Sequence, residues 1–196
     1  MSMYYFHYSS RTMDSCSPDK PAYAEARATW LCHGCCRPYP ETQRIDTRIE
    51  DDEIDGPLNM LNGCGVALAY KPFLMRFGEE RVRQNLNLGR VYDPNGRLLS
   101  DWVTFIGKHV LIVRGNEHAK HRVCSNCVRN LYFAMGRKYL FPQPPQGIDL
   151  FESDLWGLIV PESVAETLDI SESNGIWIEK LPVLDEPLDG LPPLTP

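Results

Sequence analysis

Two short cysteine motifs decide the fold of this chain: WLCHGCC at residues 30–36 and VCSNCV at residues 123–128. Each motif contains one C-x-x-C pair. A C-x-x-C turn directs two thiolates at one ion, and two such turns complete the tetrahedral four-sulfur shell that zinc prefers. The spacing therefore predicts one Zn²⁺ site with four thiolate ligands, namely Cys32, Cys35, Cys124 and Cys127.

The separation of the two motifs indicates what this site does. Between Cys35 and Cys124 lie 88 residues, whereas a simple zinc ribbon has about 15 to 20 residues there. The metal is therefore expected to join the N-terminal part of the chain to its distant half. A closed four-thiolate shell leaves no position for water, so we expect a structural ion and not a catalytic one. Cys36, His118 and His121 remain alternative ligands.

Reduced, unpaired cysteines or two redox-active pairs would also produce these motifs. A thioredoxin-like motif would lie near a βαβ pattern, and neither pair does. The seven cysteines are an odd number, and four of them are expected as metal ligands. This usage predicts a cytoplasmic protein, because the cytoplasm keeps thiols reduced.

Composition indicates a soluble globular protein. The 196 residues are 43% hydrophobic and 23% charged, which is ordinary for such a protein and long enough for a buried core. No apolar run approaches the roughly 20 residues of a membrane span. The N-terminus also lacks the basic and apolar regions of a signal peptide. We therefore expect no membrane partner.

Local patterns predict an α+β fold: an antiparallel sheet with a few short helices, stapled by a split zinc-ribbon-like site. The aromatic run at residues 3–8 predicts a strand, and residues 176–181 predict another. The turn sequence DPNG at residues 93–96 predicts a hairpin. A second hairpin is predicted from residues 102–106 and 109–113. Two short helices are expected within residues 66–83.

These elements are assigned to one domain with a tail. Residues 1–181 form the predicted α+β domain, with zinc knuckles at 32–35 and 124–127 and an inserted helix and hairpin region at 41–122. Residues 9–28 are expected to be a loop. Residues 182–196 contain five prolines and predict an extended tail.

The net charge of −6 hides a strong asymmetry along the chain. Residues 41–55 carry seven acids, and residues 139–196 carry eleven acids against a single lysine. Residues 107–138 instead hold seven basic residues and only one acid. Large fields of opposite sign influence association more than folding. We therefore expect partner contacts at the acidic loop, formed by Asp51, Asp52, Glu53 and Asp55, or at the acidic C-terminal third of the chain.

Several sequence features together resemble a known family. These are the aromatic N-terminal strand, the two distant knuckles, DLF at 149–151, GLIVPESVAETL at 157–168 and LPV at 181–183. In this combination the chain resembles the double-CxxCG immunity proteins of bacterial polymorphic toxin systems. In that family a glycine follows each C-x-x-C pair, whereas Cys36 and Val128 stand at those positions here.

The resemblance implies a function in binding and neutralising a cognate toxin protein, with a structural Zn²⁺. A nuclease effector is one candidate toxin, because an acidic protein can be steered onto a basic cleft. No deaminase motif, phosphate loop or serine elbow is present, so we expect no enzyme. The alternative is a zinc-ribbon nucleic-acid-binding or regulatory protein. It would use the basic residues Lys108, Arg114, Lys120, Arg122, Arg129, Arg137 and Lys138. Nucleic acid is the less favoured partner.

Overall fold

The computed structural model describes residues 2–8, 21–49, 60–63, 65–117, 121–155, 157–170 and 176–194. These residues form mostly β-structure together with four short α-helices, which confirms the predicted α+β class. The helices are α1 (Pro21–Thr29), α2 (Lys71–Leu74), α3 (Glu79–Asn85) and α4 (Glu162–Ala165).

The terminal sheet is a five-stranded sheet that brings both ends of the chain together. In spatial order its strands are β14 (Ile176–Pro182), β1 (Ser2–Tyr8), β13 (Leu158–Pro161), β12 (Phe151–Ser153) and β7 (Val110–Leu111). Strand β1 is antiparallel to both of its neighbours, and β7 runs parallel to β12. The predicted first and last strands are thus confirmed.

The insertion sheet is the second five-stranded sheet, and it lies in the chain between the two cysteine motifs. In spatial order its strands are β2 (Thr47–Arg48), β5 (Leu86–Tyr92), β6 (Leu98–Gly107), β4 (Val66–Tyr70) and β3 (Met60–Gly63). The Asp93 carboxylate accepts the N–H groups of Asn95 and Arg97 at 2.9 and 2.8 Å, and Gly96 has a φ of 80°. This turn confirms the hairpin predicted at residues 93–96.

Two small two-stranded sheets complete the fold beside the cysteines. They are β8 (Val113–Gly115) with β11 (Lys138–Leu140), and β9 (His121–Val123) with β10 (Asn130–Tyr132). The β9–β10 pair encloses the second cysteine motif.

The main core joins the two five-stranded sheets. Because successive side chains of a strand point to opposite faces, Phe6 of β1 faces this core while Tyr5 faces another cluster. Phe6 packs edge-on against Phe77 at 5.2 Å between ring centroids, and Phe105 of β6 lies in the same cluster. The insertion is therefore packed onto the terminal sheet.

Two local predictions are wrong, the loop expected over residues 9–28 and the second hairpin, and each has a physical reason. Residues 21–29 form α1 where a loop was expected, because Pro21 suits the first helical turn and Ala22 and Ala26 bury one face four residues apart. Residues 66–70 form β4, since this segment pairs with both β3 and β6. The two short helices expected within residues 66–83 are confirmed as α2 and α3, which Gly78 separates.

The predicted second hairpin does not form. Strand β6 ends at Gly107, and the next strand, β7, pairs with the distant β12. The N–H of Gly107 donates to the Glu152 carboxylate at 2.7 Å. Residues 110–111 therefore pair with a strand that lies much later in the chain, and not with β6.

A buried ion pair holds the C-terminal segment to the domain. Arg114 is fully buried, and its guanidinium forms a bidentate ion pair with Asp189. It also donates to the carbonyl oxygens of Leu191 and Pro192 at 2.9 and 3.0 Å, while the Tyr132 hydroxyl donates to Asp189 at 2.6 Å. We call this group the C-terminal clamp.

Candidate metal centre

The thiol groups of the four predicted cysteines converge. Their Sγ atoms all lie within 4.8 Å of one another. The Cys32–Cys124 and Cys35–Cys127 pairs are separated by 3.8 and 3.6 Å, too far for disulfide bonds of about 2.05 Å. A tetrahedral shell with metal–sulfur distances of about 2.3 Å has sulfur–sulfur edges of roughly 3.8 Å. The four cysteines could therefore hold one metal ion.

The two knuckles that present these thiols have the same backbone geometry. The N–H of Cys36 donates to the Cys32 carbonyl, and the N–H of Val128 donates to the Cys124 carbonyl, both at 2.9 Å. Cys36 and Val128 have φ angles of 54° and 59°, in the left-handed region that favours glycine. These are the two positions at which the resembled family carries glycine.

Close packing between the knuckles brings the pairs together. A Cβ atom added to Gly34 would lie 2.9 Å from Cys124 Sγ and 3.1 Å from the Asn126 side chain. Only glycine lets the first knuckle approach the second this closely. Cys32 and Cys124 are buried, and Leu131 packs against them.

Hydrogen bonds and burial act differently on the four thiols. Backbone N–H groups of Cys127 and Asn126 point at Cys124 Sγ and lower its pKa to about 6. Burial raises the pKa of Cys35 to about 12, and burial also raises the pKa of Cys127. Four thiolates so close together repel one another, so their common ionisation requires a cation among them.

The alternative ligands that the structure describes lie outside this group. Cys36 is exposed, and its sulfur lies 3.5 Å from the Tyr23 hydroxyl. The ring of His121 pairs with the Asn130 side chain at 2.8 Å. His118 lies outside the described residues, as do the predicted partner-binding residues Asp51, Asp52, Glu53 and Asp55.

The basic residues near the second knuckle are not equally available to a partner. Arg114 is enclosed in the C-terminal clamp, and the Lys138 ammonium pairs with Glu179 at 2.5 Å. Arg122 and Arg137 are exposed. The stretch that is basic in sequence is therefore only partly basic at the surface.

Five charged residues line a cleft beside the knuckles, namely Arg37, Lys108, Arg129, Glu152 and Asp154. Sequence reasoning assigned Lys108 and Arg129 to a basic surface but did not assign Arg37, Glu152 or Asp154. Both arginines follow a knuckle at the same distance, two residues after its second cysteine. That repeat is visible in the sequence, whereas the position of β12, which carries Glu152 and leads directly into Asp154, is not.

Comparison with protein families finds no match for this sequence, and comparison with curated proteins finds none either. The longest described helix, α1, has nine residues, and no described helix is long and apolar enough to cross a membrane.

Proposed function

We propose that the four cysteines bind one structural Zn²⁺. Zinc prefers four thiolates in a tetrahedron, and the sulfur–sulfur distances of 3.6 and 3.8 Å fit that shell. Four protein ligands leave no position for a substrate, so the ion stabilises the fold and does not catalyse a reaction. It joins segments that are 92 residues apart in the chain.

The protein is an immunity protein that binds and neutralises a cognate toxin in the cytoplasm through protein–protein contact. The family resemblance suggests this function. The observation that carries it is a group of exposed apolar side chains near the second knuckle. Of the seven large apolar side chains that the described residues leave exposed, four belong to this group: Val123, Val128, Phe133 and Met135.

We call these four residues the knuckle patch. Val128 and Phe133 are 76% and 68% exposed, although residues of this size are usually buried. Met135 also lines a surface cavity together with exposed Leu188. Grouped exposed apolar residues commonly mark protein interaction sites.

The acidic loop is the second proposed contact. It lies in the chain between β2 and β3, which form the opposite edges of the insertion sheet. Its charge would steer the protein onto a basic toxin such as a nuclease. A protein partner is favoured over nucleic acid, because the buried Arg114 and the paired Lys138 cannot contribute freely to a phosphate-binding surface.

The test combines metal analysis with capture of the partner from the source cells. Elemental analysis of the purified chain should find one zinc per molecule. The immobilised chain should retain a protein that a Phe133→Ser variant retains poorly, and the separate double variant Asp52→Lys with Glu53→Lys should also weaken capture. Leu98→Ser, at a half-exposed apolar residue of β6, is the matched control and should capture normally.

Neutralisation is then measured directly. The captured protein is expressed with and without the chain, and growth should be arrested only without it. Growth arrest that persists with the chain present would refute the immunity function. Salt-removable nucleic acid on the purified chain, without a protein partner, would favour the alternative function.

A further inference from the structure

The cleft beside the knuckles has the size of a ligand site. Its volume is about 460 Å³, and ligand pockets commonly have about 300 to 1,000 Å³. It lies between the segment that follows the first knuckle, Pro38–Pro40, and the facing parts of β6 and β12. Both cysteine motifs contribute to its wall through the residues that follow them.

Two arginines are fixed at this wall by the knuckles. The carbonyl groups of Arg37 and Arg129 accept the N–H groups of Cys32 and Cys124 at 2.8 and 2.9 Å. The folding of each knuckle thus positions the arginine that follows it. Both side chains line the same cleft.

The Nε–H group of Arg129 has no acceptor within the described residues. The nitrogen atom of this group is buried. No ion pair within that part of the chain includes Arg129 either. A buried donor without an acceptor is costly, so the Nε–H group of Arg129 favours an acceptor supplied by a ligand in the cleft.

The two acids of the cleft accept backbone N–H groups and also interact electrostatically with Arg37 and Arg129. Glu152 accepts the N–H of Gly107, and Asp154 accepts the N–H of Val113 at 2.9 Å. Burial raises the pKa of each of these carboxyl groups to about 7. Lys108 adds a third cation to the wall, so the cleft keeps a positive charge even when both acids are ionised.

These features favour an anion over a cation as the occupant. The unpaired group is a donor, and the cations outnumber the acids. Apolar and aromatic groups, among them Pro38 and Tyr39, supply contact area for the body of a ligand. We propose that the cleft binds a small ligand with a carboxylate or phosphate group on an apolar body, and that Arg129 and Arg37 bind this oxyanion. This site is additional to the proposed toxin contact.

Nuclear magnetic resonance of the arginine Nε–H groups tests the proposal on the full chain. Benzoate and phenyl phosphate are the probes, with acetate and inorganic phosphate as the same anions without a ring. One ring-bearing probe should shift the Arg129 signal saturably and bind more tightly than its parent anion. Benzoate binding identifies a carboxylate ligand, and phenyl phosphate binding identifies a phosphate ligand.

Variants show whether the effect belongs to this cleft. Arg129→Gln should weaken binding by at least about tenfold, because a charge-assisted hydrogen bond is lost. Arg129→Lys should recover part of it by keeping the charge. Arg122→Gln, at an exposed arginine of the same knuckle, should bind like the unsubstituted chain. Zinc content confirms that each variant is folded.

The opposite results would overturn the proposal. These are an Arg129 signal that no probe shifts, equal weakening by Arg122→Gln, or full binding by a folded Arg129→Gln variant. Equal affinity for a ring-bearing probe and its parent anion would refute the apolar contact.

Discussion

The cysteine centre and the C-terminal clamp fasten distant parts of the chain by different physics. The first brings together residues 92 positions apart, and the second joins Arg114 to Asp189, which are 75 positions apart. With the proposed Zn²⁺ bound, the centre would gather four like-charged thiolates and so would depend on that added cation. The clamp contains both charges within the chain, with a hydrogen bond from Tyr132 completing it.

The two interactions differ in the charge of the groups that remain after each is broken. Removing the metal leaves thiols that can protonate and become neutral. Removing one partner of the clamp leaves a guanidinium that stays charged in a buried place. Removing the metal should therefore weaken the cysteine centre but not the C-terminal clamp. Only substitutions of the clamp residues should weaken the clamp.

Loss of a metal ligand should have the largest effect. Cys124→Ser should abolish zinc binding and most of the stability, since structural zinc contributes roughly 10–16 kcal/mol in peptides and a domain has about 5–15 kcal/mol in total. Elemental analysis and thermal unfolding measure both effects. Cys36→Ser, outside the four-thiol group, should keep the zinc. A Cys124→Ser chain that melts like the unsubstituted one would show that the centre is not a staple.

Breaking the clamp should come second. Asp189→Asn keeps the shape but leaves Arg114 without its counter-charge, which typically costs about 3–5 kcal/mol. Chemical denaturation measures the loss, and the zinc content should not change. Asp185→Asn, at an exposed acid in the same segment, should be nearly neutral. Loss of zinc in Asp189→Asn would show that the two staples are coupled.

A pH-dependent effect at Glu152 should be smaller. Burial raises the pKa of Glu152 from 4.5 to about 7, so the folded chain holds a proton that the unfolded chain has released. Stability from this group is therefore highest below about pH 4.5 and falls as the pH rises to about 7. Glu152→Gln keeps an acceptor for Gly107 and removes that titration.

The variant should therefore be more stable than the unsubstituted chain by about 3 kcal/mol at pH 8, and nearly equally stable near pH 4.5. Unfolding curves at both pH values test this. Asp154, whose pKa is also raised to about 7, remains in the variant. The stability of the variant should therefore still fall as the pH rises, but less steeply. Glu166→Gln, at an exposed acid, is the control. A gain that does not depend on pH would contradict a role for ionisation.

The structure could be predicted from the sequence where the interacting residues lie close together in the chain, and not where they lie far apart. The cysteine centre was predictable because each half is a four-residue pattern whose chemistry is local. The hairpin at Asp93 was predictable for the same reason. Arg114 and Asp189 carry no such pattern, and their pairing depends on how the sheets pack. The hairpin expected from residues 102–106 and 109–113 failed likewise, because the strand that pairs with β7 is the distant β12.

The smallest predicted effect concerns the left-handed turn at the end of the second knuckle. Val128 holds a φ of 59° with a branched side chain that is 76% exposed, so it bears the conformational cost and contributes little burial. Left-handed backbone costs a non-glycine residue roughly 1–2 kcal/mol, and glycine loses about 0.5–1 kcal/mol in added chain entropy. Val128→Gly should therefore stabilise the zinc-bound chain by up to about 1 kcal/mol. Val123→Gly, at an exposed valine in extended β9, should instead destabilise it. Equal losses from both substitutions would mean that the left-handed turn at Val128 carries no strain.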